Sequence, residues 1–245
     1  MGAPWSLPYR EQESGTIIKT RQAPFSPFML TLLSHHLSTS TPAFNNGPTV
    51  TISPIKQIAT GGSSNNFAFS TPCHNGTHVD GPKHFDDDGR PVASFTMNDF
   101  VFEKPSLIEV PRGDGELFAS ADLAEHEGTI GNSDLLLIRT GYQKYRNSDP
   151  VRYSTKNPGF SAEGAGYLLR FPRLRAIGFD FISLSSVLHR EEGREAHRTL
   201  LKGREFFIVE DMDLSGYPEG TRRVVVVPIF LEGVDSTPCT VFAET

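Results

Sequence analysis

Apolar residues in this chain come in short runs separated by Gly, Pro, Asn and Asp clusters, a spacing that predicts strands more readily than helices. Seven runs have strand character: residues 49–52, 67–70, 106–110, 134–139, 176–181, 205–209 and 223–229. They are short, β-branched or aromatic, and bounded by turn formers. Three stretches carry helical signals instead. Ser120 is placed to cap a helix over 121–127, and Ser161 one over 162–170. A third, over 190–202, is amphipathic near its end. Strands outnumber helices and the helices fall between strands, so the pattern predicts a mixed, strand-rich α/β fold. Neither a repeat nor a low-complexity segment interrupts it. The expected organisation is a single domain over 29–245, preceded by an extension or arm over 1–28 that contains Pro4, Pro8, Pro24 and Pro27.

Composition narrows the function classes. The chain has 245 residues, enough to bury a substantial core. It carries 23 Lys and Arg against 29 Asp and Glu, a formal charge of −6, and shows no basic stripe; this argues against nucleic acid as a partner. No apolar run approaches the ~18 residues of a membrane span, and the N-terminal stretch lacks the apolar core of a signal peptide. The only cysteines, Cys73 and Cys239, make no disulfide framework and suit a cytoplasmic protein. G-x-S-x-G, G-x-G-x-x-G, a phosphate loop and H-E-x-x-H are all missing. The sequon Asn75-Gly76-Thr77, the tripeptide Arg112-Gly113-Asp114 and the acidic turn Asp86-Asp87-Asp88-Gly89 read as chance matches.

Histidine remains as the informative residue. Residues 74–84 read His-Asn-Gly-Thr-His-Val-Asp-Gly-Pro-Lys-His, placing three of the eight histidines and one aspartate within eleven residues. His and Asp are ligands for Zn, Mn or Fe. A helix does not present them together, because Asp80 would point ~200° away from His78, and Gly76, Gly81 and Pro82 oppose a helix. An extended chain puts positions 74, 78 and 80 on one side, although a flat strand separates the two histidine Cα atoms by about 13 Å. The segment must therefore bend, and Asn75-Gly76 is a dipeptide that bends chains. A bent strand or loop carrying His74, His78 and Asp80 as metal ligands is the predicted geometry. The bland alternative is a polar loop of hydrogen-bonding histidines. His35, His36 and His126 have no ligand neighbours in sequence, His189 beside Arg190 and two glutamates reads as a surface residue, and Cys73 reads as a small buried residue.

The string His74, Gly76, Thr77, His78, Asp80, Pro82, His84 closely resembles the metal motif of the cyclase family of metal-dependent hydrolases, which includes bacterial kynurenine formamidase (arylformamidase) and isatin hydrolase. The resemblance continues through residues 136–145, 158–169, 176–180, 196–201, 208–215 and 227–233, and spans roughly residues 36–242. It implies a swivelling β/β/α fold, normally dimeric, with one or two divalent ions, Zn or Mn, per subunit. By that resemblance His74, His78 and Asp80 hold one ion, and Asp80 bridges to a second held by His197 and Glu210. His84 matches the catalytic histidine. Phe44 matches an aromatic, often Trp, that lines the substrate pocket. The stretch between His197 and Glu210 is one residue longer than in the formamidases, an insertion placed at residues 202–205. Taken alone, His197 reads as a surface helix histidine, whereas Glu210, ending an apolar strand run, is costly unless paired or metal-bound.

The expected activity is hydrolysis of a C–N bond in a small-molecule amide, with an aryl formamide such as N-formylkynurenine as the leading substrate class. A cyclic amide such as isatin, a ring-forming cyclase reaction, and a catalytically silent binding protein are the alternatives. His84 is expected to act as general acid/base, because an amide nitrogen leaves poorly until protonated and imidazole titrates in the right range. A role as fourth metal ligand is the competing assignment.

Overall fold

A computed structural model describes residues 28–245, so all of the expected extension except Phe28 lies outside the described residues. The strands are β1 Leu30–Leu32, β2 Thr51–Lys56, β3 Asn66–Ser70, β4 His78–Asp80, β5 Val101–Phe102, β6 Pro105–Glu109, β7 Leu117–Phe118, β8 Leu135–Arg139, β9 Gly159–Phe160, β10 Ala176–Phe179, β11 Phe207–Glu210, β12 Arg223–Pro228 and β13 Ser236–Glu244. The helices are α1 Ser120–Ala124, α2 Glu127–Gly131, α3 Tyr145–Ser148, α4 Pro150–Thr155, α5 Ala162–Leu168 and α6 Arg190–Leu201. The mixed, strand-rich α/β class is the one expected. Among the described residues no helix is long and apolar enough to cross a membrane.

The main sheet runs β5-β12-β13-β4-β11-β10-β8-β6, with β1 added to β13. Strands β6, β8, β10 and β11 are parallel, while β4 pairs antiparallel with both β11 and β13. The short strand β4 thus joins a parallel half to an antiparallel half. Strand β8 explains its own unbroken apolar run: Leu136 and Ile138 pack with α5 and α6 residues on one face, while Leu135 and Leu137 pack with Phe100, Phe102 and Val224 on the other. A strand buried on both faces has no polar alternation to show.

Each of the seven expected strands has an observed counterpart, with edges shifted by up to four residues. Two helix expectations need correction. Helix α1 starts at Ser120 with Ala119 in the capping position, and the Asp122 carboxylate, not Ser120, accepts the Ala119 N–H at 2.8 Å. The Ser120 hydroxyl donates to Glu163 instead, and the helix breaks before α2. Ser161 does cap α5, accepting the Gly164 N–H at 3.0 Å. The strand missed in sequence is β13. Its Pro238 argues against an interior strand, but Ser236–Pro238 pair with β4 and Cys239–Glu244 with β12, so the proline sits where the strand changes partners.

Candidate metal centre

The site lies on β4 and the elements that flank it. Gly76 adopts φ +71°, and a Cβ there would meet the Leu37 side chain at 2.8 Å, so the bend between His74 and His78 requires glycine. Thr77 anchors the bend: its hydroxyl accepts the His35 N–H at 2.9 Å and donates to the Asp211 carbonyl at 2.5 Å. Register then aligns the chemistry. Across β4 and β11, His78 faces Glu210; across β4 and β13, Asp80 faces Ser236. Helix α6 delivers His197. A Cβ on Gly193 would fall 2.4 Å from the Ser185 Cα, so this glycine lets the helix approach closely enough.

The ligand atoms converge. His74 Nδ1 lies 3.0 Å from Asp80 Oδ1, and His78 Nε2 lies 3.5 Å from the same oxygen. His78 Nε2 is also 3.2 Å from Glu210 Oε2. His197 Nε2 stands 3.5 Å from Glu210 Oε1 and 3.8 Å from Asp80 Oδ2. Yet His78 Nε2 and both Asp80 oxygens are buried without any hydrogen bond. Ligands bonded to one ion at ~2.0–2.2 Å stand about 3.0–3.5 Å apart, which is the observed spacing of the His74 and His78 nitrogens from Asp80. Orphaned, convergent and chemically matched, these residues fit a divalent cation. The donor atoms of His74, His78 and Asp80 all lie within 4.8 Å of one another, as do those of Asp80, His84 and His197.

The remaining ring nitrogens are held from behind. His78 Nδ1–H donates to the Gly76 carbonyl at 2.8 Å, and His197 Nδ1–H to the Gly193 carbonyl at 2.8 Å. Each bond selects the tautomer that turns a bare Nε2 towards the site. Glu210 Oε1 accepts the Leu184 N–H at 2.7 Å.

Electrostatics tell the same story. Burial disfavours charge on His74, but the Asp80 carboxylate and the hydrogen bond to Asp235 outweigh it and push its pKa up to about 11. Burial also opposes charge on His78, which Glu210 and Asp80 nonetheless raise. Burial works to raise Asp80, yet the rings of His84, His74 and His78 hold it well below the usual carboxylate range. Glu210 is held at about 2; burial and Asp80 push it up, and the close rings of His197 and His78 more than offset them. Two deeply buried carboxylates are thus held ionised by the imidazoles around them, an electrostatic demand that a cation would also meet.

Residues 31–186 match the family described as "Putative cyclase", a span that includes the whole 74–84 string. The chain belongs to this cyclase family. Cyclase-like protein 1 of Arabidopsis thaliana is 30% identical over 170 residues, covering 67% of this chain and 64% of that protein. A kynurenine formamidase of Maricaulis maris is 28% identical over 167 residues, covering 67% of this chain and 73% of its own length. Among solved structures, an isatin hydrolase bound to the product analogue thioisatinate superposes with TM-score 0.77 at 18% identity, covering 89% of this chain and 92% of that one. The swivelling β/β/α fold of the cyclase family is therefore the fold of this chain. His197 and Glu210 lie beyond the matched span, and it is the structure that brings them to His78 and Asp80.

A cavity of about 250 Å³ opens onto this cyclase-family centre, lined by Phe44, His74, His84, Phe85, Ile182 and His197, among others. Phe44 is set there by a tight turn in which Asn45 and Asn46 take positive φ. Phe85 stacks on the His197 ring at 4.8 Å. Cys73 is half-buried, not buried as expected. Asn75, in the chance sequon, is buried and donates to the Pro48 carbonyl at 2.8 Å. Sequence reasoning missed Asp235. Its carboxylate accepts hydrogen bonds from both His74 and His84, which hold it well below its usual range.

Proposed function

We propose that this chain is a metal-dependent hydrolase that cleaves the C–N bond of a small amide, with an aryl formamide as the best substrate class. The observation that carries this reading is the set of orphaned donors on His78 and Asp80, buried next to His74, His197 and Glu210, which line a cavity that also holds His84 and two phenylalanines. Kynurenine formamidase relatives support the hydrolase class.

In this reading His74, His78 and Asp80 hold one divalent ion, zinc or manganese, and Asp80, His197 and Glu210 offer a second position. A bound ion supplies Lewis acidity, polarising an amide carbonyl and acidifying water. Phe44 and Phe85 form the apolar wall against which an aryl ring packs. His84, whose ring centroid lies 4.3 Å from that of His74, removes the proton from attacking water and returns it to the departing nitrogen. His78 and His197, tied to backbone carbonyls, keep their orientation throughout.

The working unit in this reading is a cytoplasmic homodimer or higher homo-oligomer. The hairpin of β2 and β3 supports self-association: it exposes Ile52, Ile55, Phe67 and Phe69, and a two-stranded hairpin with both faces in water is marginal. Both cysteines are free, as suits a reducing compartment.

The test is metal analysis of purified protein, followed by turnover of a panel of aryl formamides, isatin and lactones. The expected result is at least one tightly held ion and fastest turnover of a formamide. Preference for isatin would replace the formamide by a cyclic amide. Bound metal without turnover of any member would make the chain a binding protein. Light scattering tests the oligomer, and a monomer at all concentrations removes that part.

A further inference from the structure

We propose that Asp235 is a positioning residue that sets the tautomers of His74 and His84 together, coupling the metal centre to the proton-transfer group. This inference rests on the reading of His74 as a ligand and His84 as acid/base.

One oxygen does both tasks. Asp235 Oδ2 accepts from His84 Nδ1–H at 2.7 Å and from His74 Nε2–H at 3.0 Å. The first bond leaves Nε2 of His84 as the nitrogen able to exchange a proton. The second leaves Nδ1 of His74 as the donor facing Asp80. A carboxylate behind a ligating histidine fixes the ring and raises its basicity, and loss of such a partner typically weakens metal binding about 10–100-fold.

The backbone makes the arrangement stiff. The Asp235 carbonyl accepts the Gly81 N–H at 3.0 Å, and the Gly81 carbonyl accepts the His84 N–H at 3.0 Å. Asp235 immediately precedes Ser236, which faces Asp80 across the sheet. The carboxylate is therefore carried by the same β4–β13 pairing that places the ligands. No Lys or Arg pairs with it among the described residues; its ion-pair partners are the two rings.

The experiment compares wild type with Asp235→Asn, which keeps size and removes charge, and with Asp235→Glu. Zinc affinity is measured by competition with a chromophoric chelator. Long-range 1H–15N NMR of the imidazoles reads the His84 tautomer in metal-free protein. Kinetics at saturating zinc use whichever amide the wild type turns over. Asp235→Asn should bind zinc about 10–100-fold more weakly, lose the His84 Nδ1 proton, and drop in kcat with KM within threefold. Asp235→Glu should restore part of each. Zinc affinity and His84 tautomer unchanged in a folded Asp235→Asn protein overturn the proposal, even if the wild type is an active amidase. Conversely, altered affinity and tautomer in a protein that hydrolyses no amide uphold the positioning role and sink the hydrolase reading.

Discussion

Asp80 and Asp211 are both fully buried aspartates in this protein, and they are treated in opposite ways. Asp211 is saturated. Arg146 donates to its two oxygens from Nε and a terminal nitrogen, each at 2.8 Å, and the Tyr153 hydroxyl adds a bond at 2.6 Å. Asp80 has no hydrogen bond on either oxygen, although three imidazoles crowd it. A saturated buried charge has finished its chemistry and holds the fold: here it stiffens the turn after Glu210, where Asp211 takes φ +52°. An unsaturated one, ringed by donors at metal-ligand spacing, is suited to a cation. Burial alone does not separate the two cases; the count of directed bonds does.

The sharpest way to break the comparison is His78→Ala. It should abolish both bound metal and hydrolysis, while the metal-free protein stays folded. Full metal content in that variant would overturn the ligand assignment. Arg146→Ala is the mirror experiment. Stranding Asp211 without its guanidinium should cost about 3–5 kcal/mol in denaturant unfolding, while the folded fraction still binds metal with unchanged stoichiometry. Metal loss in folded Arg146→Ala protein would show that the two networks are one.

Smaller effects sharpen the picture inside the pocket. His84→Asn should keep its metal yet lose about 10²–10⁴-fold in turnover. Parallel loss of metal would instead make His84 a fourth ligand, a position its approach to Asp80 and His197 also allows. Phe44→Ala should raise KM for aryl amides by up to about tenfold, the worth of an aromatic contact. An unchanged KM with lowered stability would reduce Phe44 to a packing residue.

The first half of the centre was legible because its information is local. His74, His78, Asp80 and His84 sit in one string, and the bend they need is written as Asn75-Gly76. Resemblance placed Glu210 and His197, but the residues alone did not: a histidine on an amphipathic helix looks the same whether it faces water or a metal. Asp235 had no such signal. It contacts His84 across 151 residues of chain, and the recognisable run 227–233 stops two residues short of it. Strand β13 was hidden for a related reason, since Pro238 speaks against pairing that only the change of partner from β4 to β12 permits. The saturated network was invisible too, because nothing in sequence ties Arg146 to Asp211.

The central place of β4 has a kinetic consequence. Its three residues gain partners only when chain segments well over a hundred residues downstream arrive, as the 134-residue span between Thr77 and Asp211 illustrates. Such non-local closure is entropically late and slow in folding. In the proposed reading the contiguous 74–84 string carries only part of the ligand set, and the set is complete only once the last strands pair. The rate at which metal becomes resistant to chelation during refolding therefore follows closure of the β11-β4-β13 seam, and helix formation, local and fast, precedes it.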